Sequence, residues 1–169
     1  MNYAARLKQV QEQLPRLNCD ALLIEETTDL LYLTGLELSL GKILITKETA
    51  DLIVDGRYLE VSQQQTLYRV ISLKDFNQEK WCKKQEVKQL GFDSLSTSFA
   101  AFEVLKKATE KSLTTLVALP APLQPLRLIK DAKEIELLRK AAKLNVEGFY
   151  YLTSLLKDGI CEKELVLEL

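Results

Sequence analysis

Short apolar runs that alternate with amphipathic segments constrain the fold of this chain more than any other feature of its sequence. Strand-like apolar runs occupy residues 20–25, 41–46, 50–55, 67–73, 89–93 and 113–119. Segments whose apolar residues recur at helical spacing occupy residues 3–14, 27–35, 57–65, 75–89 and 98–109. The second and third strand-like runs are separated only by Lys-Glu-Thr, which predicts an antiparallel hairpin. The sequence therefore predicts an α/β domain with a mixed β-sheet flanked by helices.

Two of the helical segments carry specific expectations about their side chains. In the second segment, Thr27 or Thr28 is expected to cap the helix, and Leu31 is expected to face the core with the leucines around it. In the fifth segment, Phe99 is expected to begin the apolar stripe. These side chains test how far spacing alone determines burial.

The composition changes after residue 119. Three prolines fall within residues 120–125, which is the one linker-like stretch of the chain. It is followed by a long helical pattern over residues 130–159. We therefore divide the chain into a domain over residues 1–125 and a linker with the first helices of a second domain over residues 126–169.

Capping residues mark the start of this long helix. Asp131 is the expected N-cap, and Glu134, three residues later, completes a capping box. A further helix is expected near Glu162, and its apolar residues have no partner before the sequence stops. We expect the sequence to be part of a longer protein.

Composition also limits the classes of partner. The net charge is −1, from 23 basic and 24 acidic residues, so no charge excess favours binding to nucleic acid or to an anionic membrane surface. The apolar runs are too short to span a membrane. The three cysteines are far apart in the sequence and form no Cys-x-x-Cys pair, which favours a reducing, cytoplasmic location.

The chain contains no histidine. A Ser-His-Asp triad, a Cys-His pair and a histidine-ligated metal site are therefore excluded within it. Metal binding by carboxylates alone stays open, and the acidic residues Glu25, Glu26 and Asp29 are the nearest approach to such a site. Adjacent carboxylates followed by two threonines are, however, more typical of a loop and a helix start.

The segment Asp-Gly-Arg-Tyr at residues 55–58 is the strongest candidate for chemistry. In one interpretation, Asp55 is an acid or base, Arg57 binds a carboxylate and Tyr58 donates a hydrogen bond. In the other, Asp55 ends a strand and caps the next helix, while Tyr58 packs inward. Local sequence favours the second interpretation, because Asp-Gly corners between strands and helices are common.

Several segments, in this order, resemble one known family. They are YLTGLELSLGKILIT from Tyr32, ADLIVDGRYLEVSQQQ from Ala50, LGFDSLSTSFAAFEVLKKA from Leu90, and LQPLRLIKDAKEIELLRKAAKLNVEGF from Leu123. Together they resemble the N-terminal half of a Xaa-Pro peptidase, the group that includes aminopeptidase P, prolidase and creatinase. Two positions depart from the family pattern: Leu36 replaces a frequent aromatic residue, and Cys161 replaces the usual Thr or Ser cap.

The resemblance implies a two-domain enzyme whose chemistry lies outside this chain. The N-terminal α/β domain would carry no metal ligands. A C-terminal pita-bread domain, beginning with the long helix, would bind two divalent metal ions, manganese or similar, through two Asp, two Glu and one His. A metal-bound hydroxide would attack the Xaa-Pro bond of proline-containing peptides. The 169 residues alone are accordingly predicted to be inactive.

The resemblance also implies a role for the domain itself. It would support homo-oligomer formation and access to the active site. The substrate-side candidates are Tyr32, Asp55, Arg57 and Tyr58, with the loop that follows Gly35. The alternative is a peptidase-like domain that serves protein binding or assembly without catalysis. A complete small α/β enzyme is disfavoured, and the choice between aminopeptidase P and prolidase stays open.

Overall fold

A computed structural model describes residues 1–168 of the chain. Residues 2–128 form one compact unit, and residues from Ile129 onward belong to another. The first unit contains six strands: β1 Ala21–Ile24, β2 Gly41–Thr46, β3 Ala50–Val54, β4 Arg69–Ser72, β5 Gln89–Asp93 and β6 Thr115–Leu119. Its helices are α1 Tyr3–Gln13, α2 Thr27–Thr34, α3 Leu59–Gln65, α4 Gln78–Lys84, α5 Phe99–Glu110 and α6 Gln124–Leu128.

The six strands form one mixed sheet in the order β4-β3-β2-β1-β5-β6. The β2–β3 and β1–β2 pairs are antiparallel, whereas β3–β4, β1–β5 and β5–β6 are parallel. The predicted mixed sheet and the hairpin of β2 and β3 are thereby confirmed. Because β1 and β3 run in the same direction, their carboxyl ends meet the amino end of β2 at one edge of the sheet.

Each face of the sheet buries its own core. On one face, side chains such as Leu22, Ile43 and Leu52 pack with residues of α1 and α2. On the other face, Leu23 and Leu44 pack with Trp81 of α4 and with α5. Strands covered on both faces are largely apolar, which explains the near-continuous apolar runs in the sequence.

Three expectations about packing were wrong. Phe99 is 78% exposed, because it begins α5 while the buried stripe of that helix runs through Phe102 and Leu105. Leu31 is 40% exposed and faces a cavity instead of the core. The proline-rich stretch is not only a linker, because Leu123 within it is fully buried in the core beside α1 and α2.

The polar helix expected over residues 75–89 is also shorter than predicted. Helix α4 ends at Lys84, and Glu86 adopts a left-handed conformation with φ 52°. Val87 then turns into the core, and its carbonyl accepts a hydrogen bond from the Thr114 hydroxyl at 2.8 Å. The chain thus leaves the helix early enough for β5 to start at Gln89.

The second unit contains α7 Ala132–Ser154 and α8 Glu162–Val166. The predicted capping box of α7 is confirmed, since the Glu134 N–H donates to Asp131 Oδ1 and the Asp131 N–H donates to Glu134 Oε2, each at 2.9 Å. The helix ends before Gly159, which lies in the following loop with φ 84°. Assigning this unit to a second, catalytic domain stays a prediction.

Candidate functional site

A cavity of about 460 Å³ opens at the sheet edge where β1 and β3 end and β2 begins. Its walls come from three segments within residues 2–128: the exposed side of α2, the loop before β2, and the residue before α3. The lining residues are Thr27, Thr28, Leu31, Glu37, Leu38, Ser39 and Tyr58. We call it the α2–loop cavity.

Gly35 directs the loop into position. It ends α2 in the left-handed conformation with φ 76°, and its N–H donates to the Leu31 carbonyl at 2.8 Å. A side chain here would also overlap the ring of Tyr3 from α1. Glycine therefore meets both a conformational and a steric requirement at this point.

Tyr58 connects the loop to α3. Its hydroxyl lies 2.8 Å from Ser39 Oγ and accepts a hydrogen bond from the Ser39 N–H at 3.3 Å. These hydrogen bonds lower the pKa of the Tyr58 phenol, with the side-chain contact to Ser39 as the larger cause. Tyr58 thus forms one wall of the cavity and holds the loop that forms another.

Asp55 and Arg57 form an ion pair beside Tyr58. The Arg57 guanidinium donates to Asp55 through Nη2 at 2.7 Å and Nε at 3.1 Å, and the Arg57 N–H donates to Asp55 Oδ1 at 2.9 Å. The side-chain hydrogen bonds from Arg57 hold the pKa of the Asp55 carboxyl below its usual range. Asp55 therefore stabilises the turn, and the expectation that it caps the next helix was wrong, since Tyr58 is the N-cap residue of α3 and makes no side-chain cap.

The structure does not bring all four predicted site residues together. Among them only Tyr58 lines the α2–loop cavity. The Arg57 guanidinium carbon lies 5.1 Å from the centre of the Tyr58 ring, outside that lining. Tyr32 instead stacks on Arg6 of α1, whose guanidinium carbon is 4.1 Å from the Tyr32 ring centre.

The sequence pointed to the loop that follows Gly35 but not to Glu37 and Ser39 within it. Both lie in the predicted loop, where no periodicity or motif marks them. Glu37 is exposed and makes no hydrogen bond or ion pair within residues 1–168. The cavity thus offers hydroxyl groups and one available carboxylate beside apolar leucines, a set suited to binding and orienting a ligand.

The acidic residues after β1 have structural partners. Glu26, and not a threonine as expected, caps α2 by accepting the Asp29 N–H at 2.8 Å. Asp29 is buried and accepts a hydrogen bond from Arg127 of α6 at 2.7 Å. Burial nevertheless raises the pKa of Asp29, because desolvation outweighs the attraction of Arg127. Arg127 was another miss, since nothing in the sequence pairs it with a residue so far away.

The donor set of the described chain does not fit a metal site. Among residues 1–168, no group of three or more His, Cys, Asp or Glu side chains is arranged to hold a metal ion. No reaction step is therefore assigned to a metal bound by these residues. In the same part of the chain, no helix combines the length and the apolarity that crossing a bilayer requires.

A family model described as the Creatinase/Prolidase N-terminal domain matches residues 6–129, which covers every element from α1 to α6 apart from the start of α1. The chain belongs to this family. A relative named uncharacterized peptidase YqhT, from Bacillus subtilis (strain 168), is 27% identical over 97% of this chain and 47% of its own length. A Xaa-Pro dipeptidase of Pyrococcus horikoshii is 26% identical over 95% of this chain and 45% of its own length.

Solved structures share the fold. A Xaa-Pro dipeptidase from Bacillus anthracis superposes with a TM-score of 0.89 at 23% identity, over 97% of this chain and 46% of that one. At this identity the similarity establishes the fold only. The chain spans about half the length of the curated relatives it matches. The resemblance read from the ordered sequence segments is thus confirmed at the level of family and fold.

Proposed function

We propose that the chain is the N-terminal, non-catalytic part of a metal-dependent peptidase that cleaves Xaa-Pro bonds. One observation carries the proposal: a match over nearly the whole chain to about half of a Xaa-Pro dipeptidase, within the family of creatinase and prolidase N-terminal domains. The described residues offer no metal donor set. The two divalent metal ions and the bond-breaking groups are therefore assigned to residues outside this chain.

Substrate class can be tested in the full-length protein. We expect cleavage of Ala-Pro or of a longer Xaa-Pro peptide, and no comparable cleavage of the matched Ala-Ala peptides. A preference for the dipeptide favours a prolidase, and a preference for the longer peptide favours an aminopeptidase P. Equal cleavage of the Ala-Pro and Ala-Ala peptides contradicts the proposed substrate class.

The domain would contribute access and assembly. The α2–loop cavity, with Tyr58 in its wall and the Asp55–Arg57 pair beside it, is the surface we assign to the substrate side. Tyr32, on α2, ties this helix to α1 through its contact with Arg6. Homo-oligomer formation and a cytoplasmic location complete the proposal, and light scattering of the full-length protein tests the first.

Arg57→Ala tests the access role. Removing the guanidinium leaves Asp55 without its ion pair and alters the turn that carries Tyr58. We expect kcat/KM for a long Xaa-Pro peptide to fall by about threefold or more, because displaced positioning groups reduce transition-state stabilisation. Arg16→Ala, at an exposed arginine in the segment between α1 and β1, is the matched control. Unchanged kcat/KM for both short and long peptides contradicts the access role.

A further inference from the structure

Strand β4 lies at one end of the sheet, and its outer edge pairs with no other strand among residues 1–168. The Leu73 N–H donates to the Val54 carbonyl at 2.7 Å, so the odd-numbered residues of β4 direct their backbone groups toward β3. Val70 and Ser72 direct theirs outward. The outer edge therefore offers two N–H donors, and the carbonyls of Tyr68 and Val70 as acceptors, to an incoming strand.

Two exposed leucines flank β4 symmetrically. Leu67 is 50% exposed and Leu73 is 38% exposed, and each lies three residues from Val70. Arg69 lies between them on the same face of the sheet, because side chains alternate along a strand. Its guanidinium donates two hydrogen bonds of 2.6 Å to the buried carboxylate of Asp51. The edge thus carries apolar side chains at both ends and no unbalanced charge in the middle.

We propose that β4 pairs antiparallel with β4 of a second copy of this chain, about a twofold axis at Val70. The two Val70 residues exchange both of their backbone hydrogen bonds, and the Ser72 N–H of each copy donates to the Tyr68 carbonyl of the other. Leu67 of one copy lies opposite Leu73 of the other at both ends of the pair. The contact is isologous, and it joins the two sheets into one.

The side chains select this register among those that an edge strand could adopt. A shift of the pairing by two residues in one direction puts Arg69 opposite Arg69 of the other copy, and like charges directly opposite each other are destabilising. A shift in the other direction puts Arg69 opposite Leu73 and leaves Leu67 without an apolar partner. In the proposed register Arg69 lies opposite Ile71, and both leucines cover each other.

The other edge of the sheet is less suited to self-pairing. The Thr115 N–H donates to the Lys88 carbonyl of β5 at 2.8 Å, so Leu116 and Ala118 are the outward residues of β6. The next outward position is Pro120, which has no N–H to donate. The row of donors on this edge therefore stops at Ala118, and β6 supplies the control for the experiment.

This inference rests on the proposed function in one respect, since homo-oligomer formation is part of both, and it names the surface responsible. A pair of short strands with two leucine contacts buries less than the roughly 1,200 Å² of a stable interface. We therefore expect the 169-residue chain to form a weak dimer, with a dissociation constant of about 0.1 mM.

Disulfide trapping tests the register directly. Opposite residues of a pair without mutual hydrogen bonds have Cα atoms about 4.5 Å apart, which suits a disulfide. One sample carries Leu67→Cys and another carries Leu73→Cys. Both also carry Cys161→Ser, because Cys161 is exposed whereas Cys19 and Cys82 are buried. The samples are oxidised with oxidised glutathione at about 0.1 mM protein, separately and mixed, and covalent dimers are measured on non-reducing gels.

We expect the mixture to form covalent dimers about tenfold faster than either variant alone. In the proposed register the two copies of Leu67 lie about 20 Å apart, and so do the two copies of Leu73, so identical variants cannot form the bond. Association through any other surface brings the two unlike positions no closer than the like ones. The difference in rate therefore reports on β4 alone.

A proline on each edge tests the backbone hydrogen bonds. Ser72→Pro, added to both samples, removes an outward N–H and keeps the hydrogen bonds to β3, so we expect trapping in the mixture to slow about fivefold or more. Ala118→Pro, at an outward residue of β6, is the matched control and is expected to leave the rate unchanged. Trp81 fluorescence in urea checks that both variants fold. The comparison of the mixture with the single variants needs neither proline.

Three results would overturn the proposal. They are a mixture that cross-links no faster than its separate components, equal trapping rates with Ser72→Pro and with Ala118→Pro, or trapping that only Ala118→Pro slows. The experiment measures no turnover, and cleavage of Xaa-Pro peptides by the full-length protein requires no cross-link. Failure of this proposal is therefore distinguishable from failure of the proposed peptidase function.

Discussion

Replacing Asp51 by Asn is expected to destabilise the sheet strongly. Asp51 lies on β3, is 1% exposed, and faces Arg69 on the neighbouring strand β4. Its carboxylate accepts hydrogen bonds from Arg69 Nε, Arg69 Nη2 and Trp81 Nε1, each at 2.6 Å. An Asn side chain retains one acceptor oxygen and turns an N–H₂ group toward these donors.

The magnitude follows from these contacts. At least one hydrogen bond to a charged group is lost, at about 1.5–3 kcal/mol, and a buried donor is left poorly satisfied. Because the Arg69 side chain is 55% exposed, water recovers part of the loss, and we expect a total of about 2–4 kcal/mol. For a chain of this length that lowers the melting temperature by about 4–16 °C.

Urea denaturation followed by circular dichroism measures the loss, and the fluorescence of Trp81, the one tryptophan of the chain, reports on the local change. Glu12→Gln, at an exposed carboxylate in a 3.9 Å ion pair with Lys8, is the control and is expected to stay within about 0.5 kcal/mol of the unmodified chain. The double variant of Asp51→Asn with Arg69→Met is expected to lose about 1–2 kcal/mol less stability than the two single variants lose when their losses are added. A melting shift below about 2 °C for Asp51→Asn, or strict additivity, would refute this reasoning.

Further predictions concern a turn, a core residue and an ion pair. Gly35→Ala, at φ 76°, is expected to lower the free energy of unfolding by about 1–3 kcal/mol in urea denaturation. Gly56→Ala, whose new methyl would meet no atom within 4 Å, is expected to lower it by less than about 1 kcal/mol. Equal losses would contradict the role of the left-handed conformation. Leu123→Ala is expected to lower the free energy of unfolding by about 2–5 kcal/mol, because it truncates a buried core side chain. A loss below about 1 kcal/mol would show that the proline-rich stretch is only a linker. Arg57→Gln is expected to return the depressed pKa of Asp55 toward its ordinary value in a carboxyl NMR titration. Since the folded-state pKa of Asp55 is lowered, the pair contributes stability above the unfolded-state pKa, and this contribution is lost as the pH falls through the folded-state pKa. An unchanged Asp55 pKa in the variant would contradict the assignment.

The sequence predicted the sheet well because its four central strands, β1, β2, β3 and β5, are largely buried on both faces. Continuous apolar runs bounded by turns leave little choice of structure, and the short gap before β3 specifies the hairpin. Side-chain direction within the helices was less predictable. The spacing that favours burial of Phe99 is met only from the second turn of α5, where Phe102 and Leu105 pack into the core, while Phe99 in the first turn stays exposed. Leu123 shows the opposite error, since a proline-rich context hid a core residue.

The candidate site could be predicted only in part. The corner around Asp55 and Tyr58 is visible because a strand, a glycine and a helix follow each other in the sequence. The partners of that corner come from elsewhere in the chain: Ser39 reaches Tyr58 across the sheet edge. Local patterns contain no information about such long-range contacts, which depend on strand order.

The location of the chemistry is the central claim, and one side-by-side assay tests it most directly. The full-length protein and the 169-residue chain are incubated with Mn²⁺ and a Xaa-Pro peptide, each with and without a chelator. We predict that the full-length protein cleaves the peptide only with metal present and that the 169-residue chain cleaves nothing. Metal-dependent cleavage by the 169-residue chain, or full activity of the full-length protein under chelation, would contradict the account.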